Sequence, residues 1–342
     1  VNLSVVDLSP VPDDGTATDA YANTVDAAQQ AERLGYSRFW VAEHHGMADT
    51  LAGTTPEVLL GHLAAETESI RLGSGAVLLN HYSPFKVAEL FGTLDGLAPG
   101  RIDAGLGRAN GSPAADRALG TDRHVQNPDE DHAEKIEAVV SHLYDEYPPE
   151  HAYSDLEIPR SDAETPIPWT LGSSPSSAAV AGELGLRYCF AAFIRPQFAE
   201  YAFEDYREAF EPSELGGGID EPEGMIAVNA VCAETDEKAA RLRAVAEASY
   251  KRMERGVIGT TPSVEEAIDE LGSVPEPTPT TLDDDEWPRA ISGSPETLAG
   301  LLEQLADRVG VEEVMIQHAV GNHEDALRSH ELLADGVGLT PR

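Results

Sequence analysis

Short apolar runs alternate with amphipathic stretches from one end of the chain to the other, and this alternation limits the possible folds more than any other feature. The apolar runs lie at residues 3–8, 38–42, 70–79, 101–106, 167–171, 187–191, 224–232 and 313–317. Each has the length and make-up of a strand buried on both faces. The stretches at 19–34, 56–69, 84–97, 129–144, 176–184, 197–210, 235–255 and 295–309 carry apolar residues at three- and four-residue spacing, with acidic residues opposite. That is the pattern of helices laid on a core. Eight strand–helix units predict an α/β chain folded as a TIM (β/α)8 barrel with insertions. A doubly wound open sheet is the second choice. It would announce a glycine-rich turn after the first strand, where this chain has Ser9-Pro10-Val11-Pro12.

One segment departs from the unit plan. Residues 272–289, with Pro275, Pro277 and Pro279 ahead of Asp283-Asp284-Asp285-Glu286, cannot sustain a helix and have little to bury. We read it as a mobile lid over the barrel mouth. With 342 residues, 41% of them hydrophobic, the whole of 1–342 is expected to be one barrel domain.

Charge narrows the partners. Formal net charge is −38, and only four of the 23 basic residues are Lys. The acidic residues are spread along the polar faces of every segment, so the surface itself is acidic and no separate tail explains the charge. Self-repulsion on this scale destabilises a compact fold in dilute buffer, whereas molar salt shortens the Debye length to about 3 Å and screens it. Adaptation to a salt-rich, halophilic cytoplasm is expected, and nucleic acid is excluded as a partner. A bound phosphate would need a local cationic pocket. Cys189 and Cys232 sit in apolar runs and read as buried free thiols in a reducing compartment. No apolar stretch reaches about 18 residues and the start carries no cationic-then-apolar leader, so we expect no membrane association and a cytoplasmic location.

In a barrel the chemistry stands just after each strand. After the second run stand Glu43-His44-His45, and a histidine near its ordinary pKa of ~6.5 moves protons at neutral pH. The third run has small residues at Gly73-Ser74-Gly75-Ala76, which implies that something flat or bulky approaches the backbone there. After the fourth comes Gly105-Leu106-Gly107-Arg108, where Arg108 offers a forked cation. After the fifth, Gly172-Ser173-Ser174-Pro175-Ser176-Ser177 opens a helix, and free backbone donors with hydroxyls at a helix N-terminus form an anion site. Together they suggest a monophosphate pocket beside a flat cavity. Adjacent histidines on a strand point to opposite faces and chelate poorly, so a metal hydrolase built on His44-His45 is disfavoured and no metal is expected. His318, ending the last run, reads as a capped core histidine.

Four blocks resemble the bacterial luciferase-like, flavin-dependent monooxygenases, in family order and over essentially the whole chain. They are Phe39-Trp40-Val41-Ala42-Glu43-His44-His45-Gly46; Arg71-Leu72-Gly73-Ser74-Gly75-Ala76-Val77 with Ser83-Pro84; Gly100-Arg101-Ile102-Asp103-Ala104-Gly105-Leu106-Gly107-Arg108; and Gly172-Ser173-Ser174 through Gly185-Leu186. The resemblance implies a general base or proton donor at His44, with His45 shaping the cofactor site. It implies a non-prolyl cis peptide at Gly75-Ala76 against the flavin ring, phosphate contact by Arg108, hydroxyl contacts from Ser174 and Ser177, and backbone contact from Ser173. A second phosphate arginine, Arg117 or Arg123, stays open. Where luciferase has a reactive cysteine this chain has Gly107, so thiol sensitivity is not expected.

The resulting expectation is an oxidoreductase using reduced FMN, delivered by a separate flavin reductase, and molecular oxygen to oxygenate a small organic molecule such as an aldehyde. Family members are commonly homodimers. Two alternatives remain: a deazaflavin-coenzyme-dependent dehydrogenase on the same barrel, and a non-catalytic flavin-binding protein.

Overall fold

The computed structural model describes residues 1–13, 15–120, 128–213, 215–257, 260–283 and 287–342, with residues 128–130 as backbone alone. The first half of the chain forms β1 (Asn2–Asp7), α1 (Ala17–Leu34), β2 (Arg38–Val41), α2 (Pro56–Glu66), β3 (Arg71–Ser74), β4 (Val77–Leu78) and α3 (Pro84–Leu97). It continues with β5 (Ile102–Gly107), α4 (Pro113–Leu119), α5 (Pro128–Tyr144), β6 (Ile167–Gly172) and α6 (Pro175–Glu183). The rest comprises β7 (Arg187–Ala191), α7 (Ala199–Ala209), β8 (Gly224–Cys232), α8 (Asp236–Glu254), α9 (Val264–Leu271), β9 (Ala290–Gly293), α10 (Pro295–Val309), β10 (Glu313–Gln317) and α11 (His323–Val337). Local sequence sets many of these limits: α2, α3, α4, α6 and α10 open on a proline, whose missing N–H costs nothing in the first turn. Left-handed Gly35, Gly272, Gly310 and Gly338 close α1, α9, α10 and α11.

All the strand pairings are parallel, in the order β10-β1-β2-β3-β5-β6-β7-β8, and the ring closes because β10 pairs with both β1 (Asn2 opposite Glu313) and β8 (Met225 opposite Glu313). This is the closed TIM barrel that the alternation predicts. Three differences stand out. The run 70–79 is two strands, β3 and β4, separated at a cis Gly75-Ala76 peptide. A further strand, β9, extends the second half of β8, with Asn229 opposite Ala290. Helices α4, α9 and α11 were not among the expected elements.

Residues 272–289, expected as a lid, are anchored where described. Arg243 of α8 donates to the Thr278 hydroxyl and, at 2.7 Å, to the Glu276 carbonyl, while Gln304 of α10 donates to the Thr280 carbonyl at 2.8 Å. Buried Trp287 lies under the Arg308 guanidinium of α10. These contacts run the segment along α8 and α10. Residues 284–286 lie outside the described residues.

The strands separate two cores. Outward positions pack on the helices in one large cluster, for instance Phe39, Leu72, Ile102, Ala104, Leu106, Tyr188 and Ile316. Val6, Trp40, Trp169, Cys189, Met225 and Met315 come from six strands around the ring and can meet only in the lumen. There the Trp40 and Trp169 rings cross edge-on with centroids 5.9 Å apart. Below them, at the N-terminal strand ends, Asp103 accepts from Arg71 at 2.9 and 3.1 Å and from the Trp169 indole at 3.2 Å, and pairs with Arg38 at 3.3 Å. Arg38 also meets Glu313. Both cysteines are buried and unbridged, as expected. Among the described residues no helix is long and apolar enough to cross a membrane.

Candidate active site

The site is built from the C-terminal ends of β2, β3 with β4, β5 and β6, which are consecutive neighbours in the sheet. Just beyond β2, the His44 N–H donates to the Gly53 carbonyl at 2.8 Å. Gly53 permits this crossing, because a Cβ there would stand 3.0 Å from the carbonyl oxygens of both Ala42 and Leu8. His44 is half-buried, and its Nδ1 is sealed from solvent without a hydrogen-bond partner. Burial, reinforced by the charge of His45, pushes its pKa down to about 4. At neutral pH it is an uncharged imidazole.

Glu43 turns its carboxylate into the protein. Oε2 accepts the Leu78 N–H at 2.9 Å, and Oε1 accepts the Tyr82 hydroxyl at 2.8 Å and faces His45 Nε2 at 2.6 Å. Burial raises the Glu43 pKa, against the lowering effect of those three partners. His81 packs edge-on to His45, centroids 5.5 Å apart, and its own pKa is lowered first by burial and then by His45. Asn80 donates to the Ala109 carbonyl at 2.8 Å, which ties this cluster to the loop beyond β5. Sequence reasoning gave no role to Glu43, Asn80, His81 or Tyr82. The signal was available, since Asn80-His81-Tyr82 directly follow the third apolar run.

The small residues of β3 prove to have two purposes. At Gly73 the bulky neighbour is the protein's own Trp40, whose ring would lie 2.3 Å from a Cβ. Gly75-Ala76 is cis, at the position the family resemblance implies, and Ala76 faces Gly107, where an added Cβ would approach it to 3.0 Å. Gly105 passes so close to the Ser74 carbonyl that a Cβ would overlap it at 1.8 Å. These glycines let neighbouring strands and the Trp40 ring approach one another closely at this end of the barrel.

Arg108, the residue after β5, is exposed at the mouth. Register places β5 and β6 side by side, Leu106 opposite Thr170, so Arg108 neighbours the turn Ser173-Ser174 that opens α6. Ser174 is the N-cap, its Oγ accepting the Ser177 N–H at 3.4 Å. The Ser177 hydroxyl, expected to meet phosphate, is engaged inside the protein, donating to the Ser174 carbonyl at 2.6 Å and lying 3.1 Å from the Tyr188 hydroxyl. Gly172 makes room for it, for a Cβ there would collide with Ser177 Oγ at 2.1 Å. The structure thus sets His44, His45, Gly75, Ala76, Arg108, Ser173 and Ser174 at the C-terminal ends of four neighbouring strands, and gives the Ser177 hydroxyl to the turn itself. Arg117 is exposed on α4, and Arg123 lies outside the described residues. His318 bonds His330 on one nitrogen (3.0 Å), and its other nitrogen is buried without a partner, so it is capped on one side only.

Residues 1–313 match the luciferase-like monooxygenase family. The chain belongs to that family. The structure is similar to apo-MsnO8, at a TM-score of 0.86 with 39% identity and both chains covered in full. The N-acetyl-S-alkylcysteine monooxygenase of Bacillus subtilis is 36% identical over 341 residues, 98% of each chain. Two more distant structures share the barrel, at TM-scores of 0.70 and 0.66 and 19% and 14% identity, and they show the fold alone. One is the oxygenating constituent of the Pseudomonas putida 3,6-diketocamphane monooxygenase in complex with FMN, which covers 98% of this chain and 97% of its own. The other is an F420-dependent secondary alcohol dehydrogenase, covering 98% of each. The named relatives of this luciferase-like chain thus include monooxygenases, and the solved structures that share its barrel include an FMN complex and an F420-dependent enzyme.

Proposed function

We propose that this protein is a monooxygenase that uses reduced FMN, supplied by a separate flavin reductase, and oxygen to oxidise a small organic molecule. The observation that carries this reading is the family match joined to one half of the barrel mouth, where Arg108, the α6 N-terminus, cis Gly75-Ala76 and His44 stand on four adjacent strand ends. Arg108 with the Ser173 and Ser174 turn would hold the phosphate, and Gly75-Ala76 would back the ring. FMN, when bound, supplies the electrons that activate oxygen. The chain binds and orients it, and the neutral His44 imidazole takes a proton at the nitrogen facing the reacting atoms. Aldehydes are the first substrates to try, and the 36% identical relative adds N-acetylated S-alkylcysteine thioethers to the panel.

We place the enzyme as a homodimer in a salt-rich cytoplasm. Val58 on α2 and Leu97 on α3, 68% and 62% exposed on two helices that pack together, are available to a partner face. The −38 charge supports the salt requirement, and the melting temperature should rise steeply from dilute buffer to molar potassium chloride. A flat profile would remove that argument.

The deciding experiment has two arms: mass spectrometry of the small molecule released from protein purified in high salt, and turnover with NADH, a flavin reductase, labelled oxygen and the substrate panel. FMN with label in the product is the expected result. A bound deazaflavin would replace this reading with the dehydrogenase, and FMN without turnover would leave a flavin carrier.

A further inference from the structure

At the mouth, His45 is in contact with the Glu43 carboxylate. Glu43, its side chain fully buried, accepts from the Leu78 backbone N–H, which can only donate, and from the Tyr82 hydroxyl. With the carboxylate ionised, the third contact, His45 Nε2 at 2.6 Å from Oε1, is also a donor. The proton of a neutral His45 is therefore on Nε2, and Nδ1 is a bare lone pair. His81, edge-on at 5.5 Å, packs against the ring and restricts its rotation. His44 contrasts with this, for its Nδ1 has no partner and no acid orients it.

We propose that Glu43 is a positioning residue that locks His45 as the Nε2–H tautomer, so that Nδ1 of His45 is a second proton acceptor beside His44. A proton taken at Nδ1 from substrate or solvent gives an imidazolium whose charge Glu43 neutralises across the same short contact. The catalytic half of this proposal rests on the reading of the mouth as a flavin site. The tautomer half does not.

The test uses the full-length protein in high salt, labelled with nitrogen-15 histidine, with the His45 signals assigned by loss in His45→Gln. In the wild type, Nε2 of His45 should show the protonated ring-nitrogen shift and Nδ1 the unprotonated one. Glu43→Gln, whose amide can turn a donor toward Nε2, should reverse or mix the two, whereas Tyr82→Phe, which keeps the carboxylate, should leave them unchanged. Circular dichroism of each variant reports its fold. A wild-type His45 protonated at Nδ1, or a tautomer swap in Tyr82→Phe, overturns the proposal even where Glu43→Gln does not fold. In turnover, Glu43→Gln should lower kcat about 10-fold or more, with KM and FMN affinity within a few fold, on the low side of the usual loss of a proton-transfer group. An unchanged kcat in a variant with the swapped tautomer overturns the catalytic half. Absence of turnover in the wild type with every substrate, while the tautomer result holds, identifies the failure as that of the functional reading.

Discussion

At the floor of the lumen every charged side chain meets its opposite: Asp103 holds Arg71 and Arg38, and Arg38 also holds Glu313. At the mouth, six and seven residues beyond Arg38 and ten beyond Arg71, like faces like. His45 meets the Glu43 carboxylate, His81 packs edge-on to His45, the uncharged His44 stands next in the chain, and His44 Nδ1 and Asn80 Oδ1 are buried with no hydrogen-bond partner. A polar group taken out of water costs free energy unless it is paired. The floor balances its charges within the chain, even though Arg38 Nε and Glu313 Oε1 have no hydrogen-bond partner, while the mouth sets imidazole beside imidazole. Polarity alone does not mark function.

The largest effect that tests this contrast belongs to the floor. Asp103→Ala removes the one carboxylate shared by Arg71, Arg38 and the Trp169 indole, leaving Arg38 with Glu313 and Arg71 with the Gly100 and Ile102 carbonyls, and should cost about 3 kcal/mol of stability, read by denaturant unfolding in high salt. A loss under about 1 kcal/mol would mean that the floor behaves as an exposed pair, and the contrast would fail. Next comes His44→Ala at the mouth, expected to lower turnover by ~10²-fold with flavin affinity within a few fold. Because the folded pKa of His44 is depressed to about 4, the unfolded chain binds a proton that the folded one refuses as pH falls from about 6.5 toward 4. Stability from this residue is thus present at neutral pH and lost across that window, so His44→Gln should flatten the acid side of the stability profile. By the same value, an acid limb in kcat/KM should fall near 4 if His44 is the base, and a limb near 6.5 that survives in His44→Ala would assign the role to a neighbour.

Smaller effects sharpen the phosphate end. Arg108→Ala should weaken FMN binding at least tenfold, about 1.4 kcal/mol, measured by fluorescence titration, and unchanged affinity would remove Arg108 from the pocket. Ser174→Ala should weaken it less than Arg108→Ala does, since the backbone donors of α6 remain. Ser177→Ala serves as the internal comparison. Its hydroxyl is spent on the Ser174 carbonyl and Tyr188, so its loss should register in stability before it registers in affinity.

The barrel was legible because both its periodicities are local. The outward-facing Phe39, Leu72, Ile102 and Ile316 and the proline-opened helices announce themselves within a few residues. The overlooked helices also had local signals. Ser263 with Glu266 forms a capping box ahead of α9, and Asn322 caps α11, but both sit beside segments that composition marks as loop. What the sequence hid is what depends on distant partners. Gly73 looks like a place for a ligand until Trp40 is seen filling it, and the sequence does not show that the Ser177 hydroxyl bonds the Ser174 carbonyl and lies against Tyr188, eleven residues on. Glu43 was passed over because its importance lies in Leu78 and Tyr82, 35 and 39 residues away.

The crossed indoles of Trp40 and Trp169 have a consequence for how such a barrel diversifies. Lying edge to face at 5.9 Å across the lumen, they partition it into a lower compartment that holds the strands in register and an upper one that holds the chemistry. Substitutions above the partition need not renegotiate the ion pairs below it. A lineage can therefore explore new substrates by trading residues at the strand tips, while the part of the molecule that would unfold it stays out of reach of the experiment.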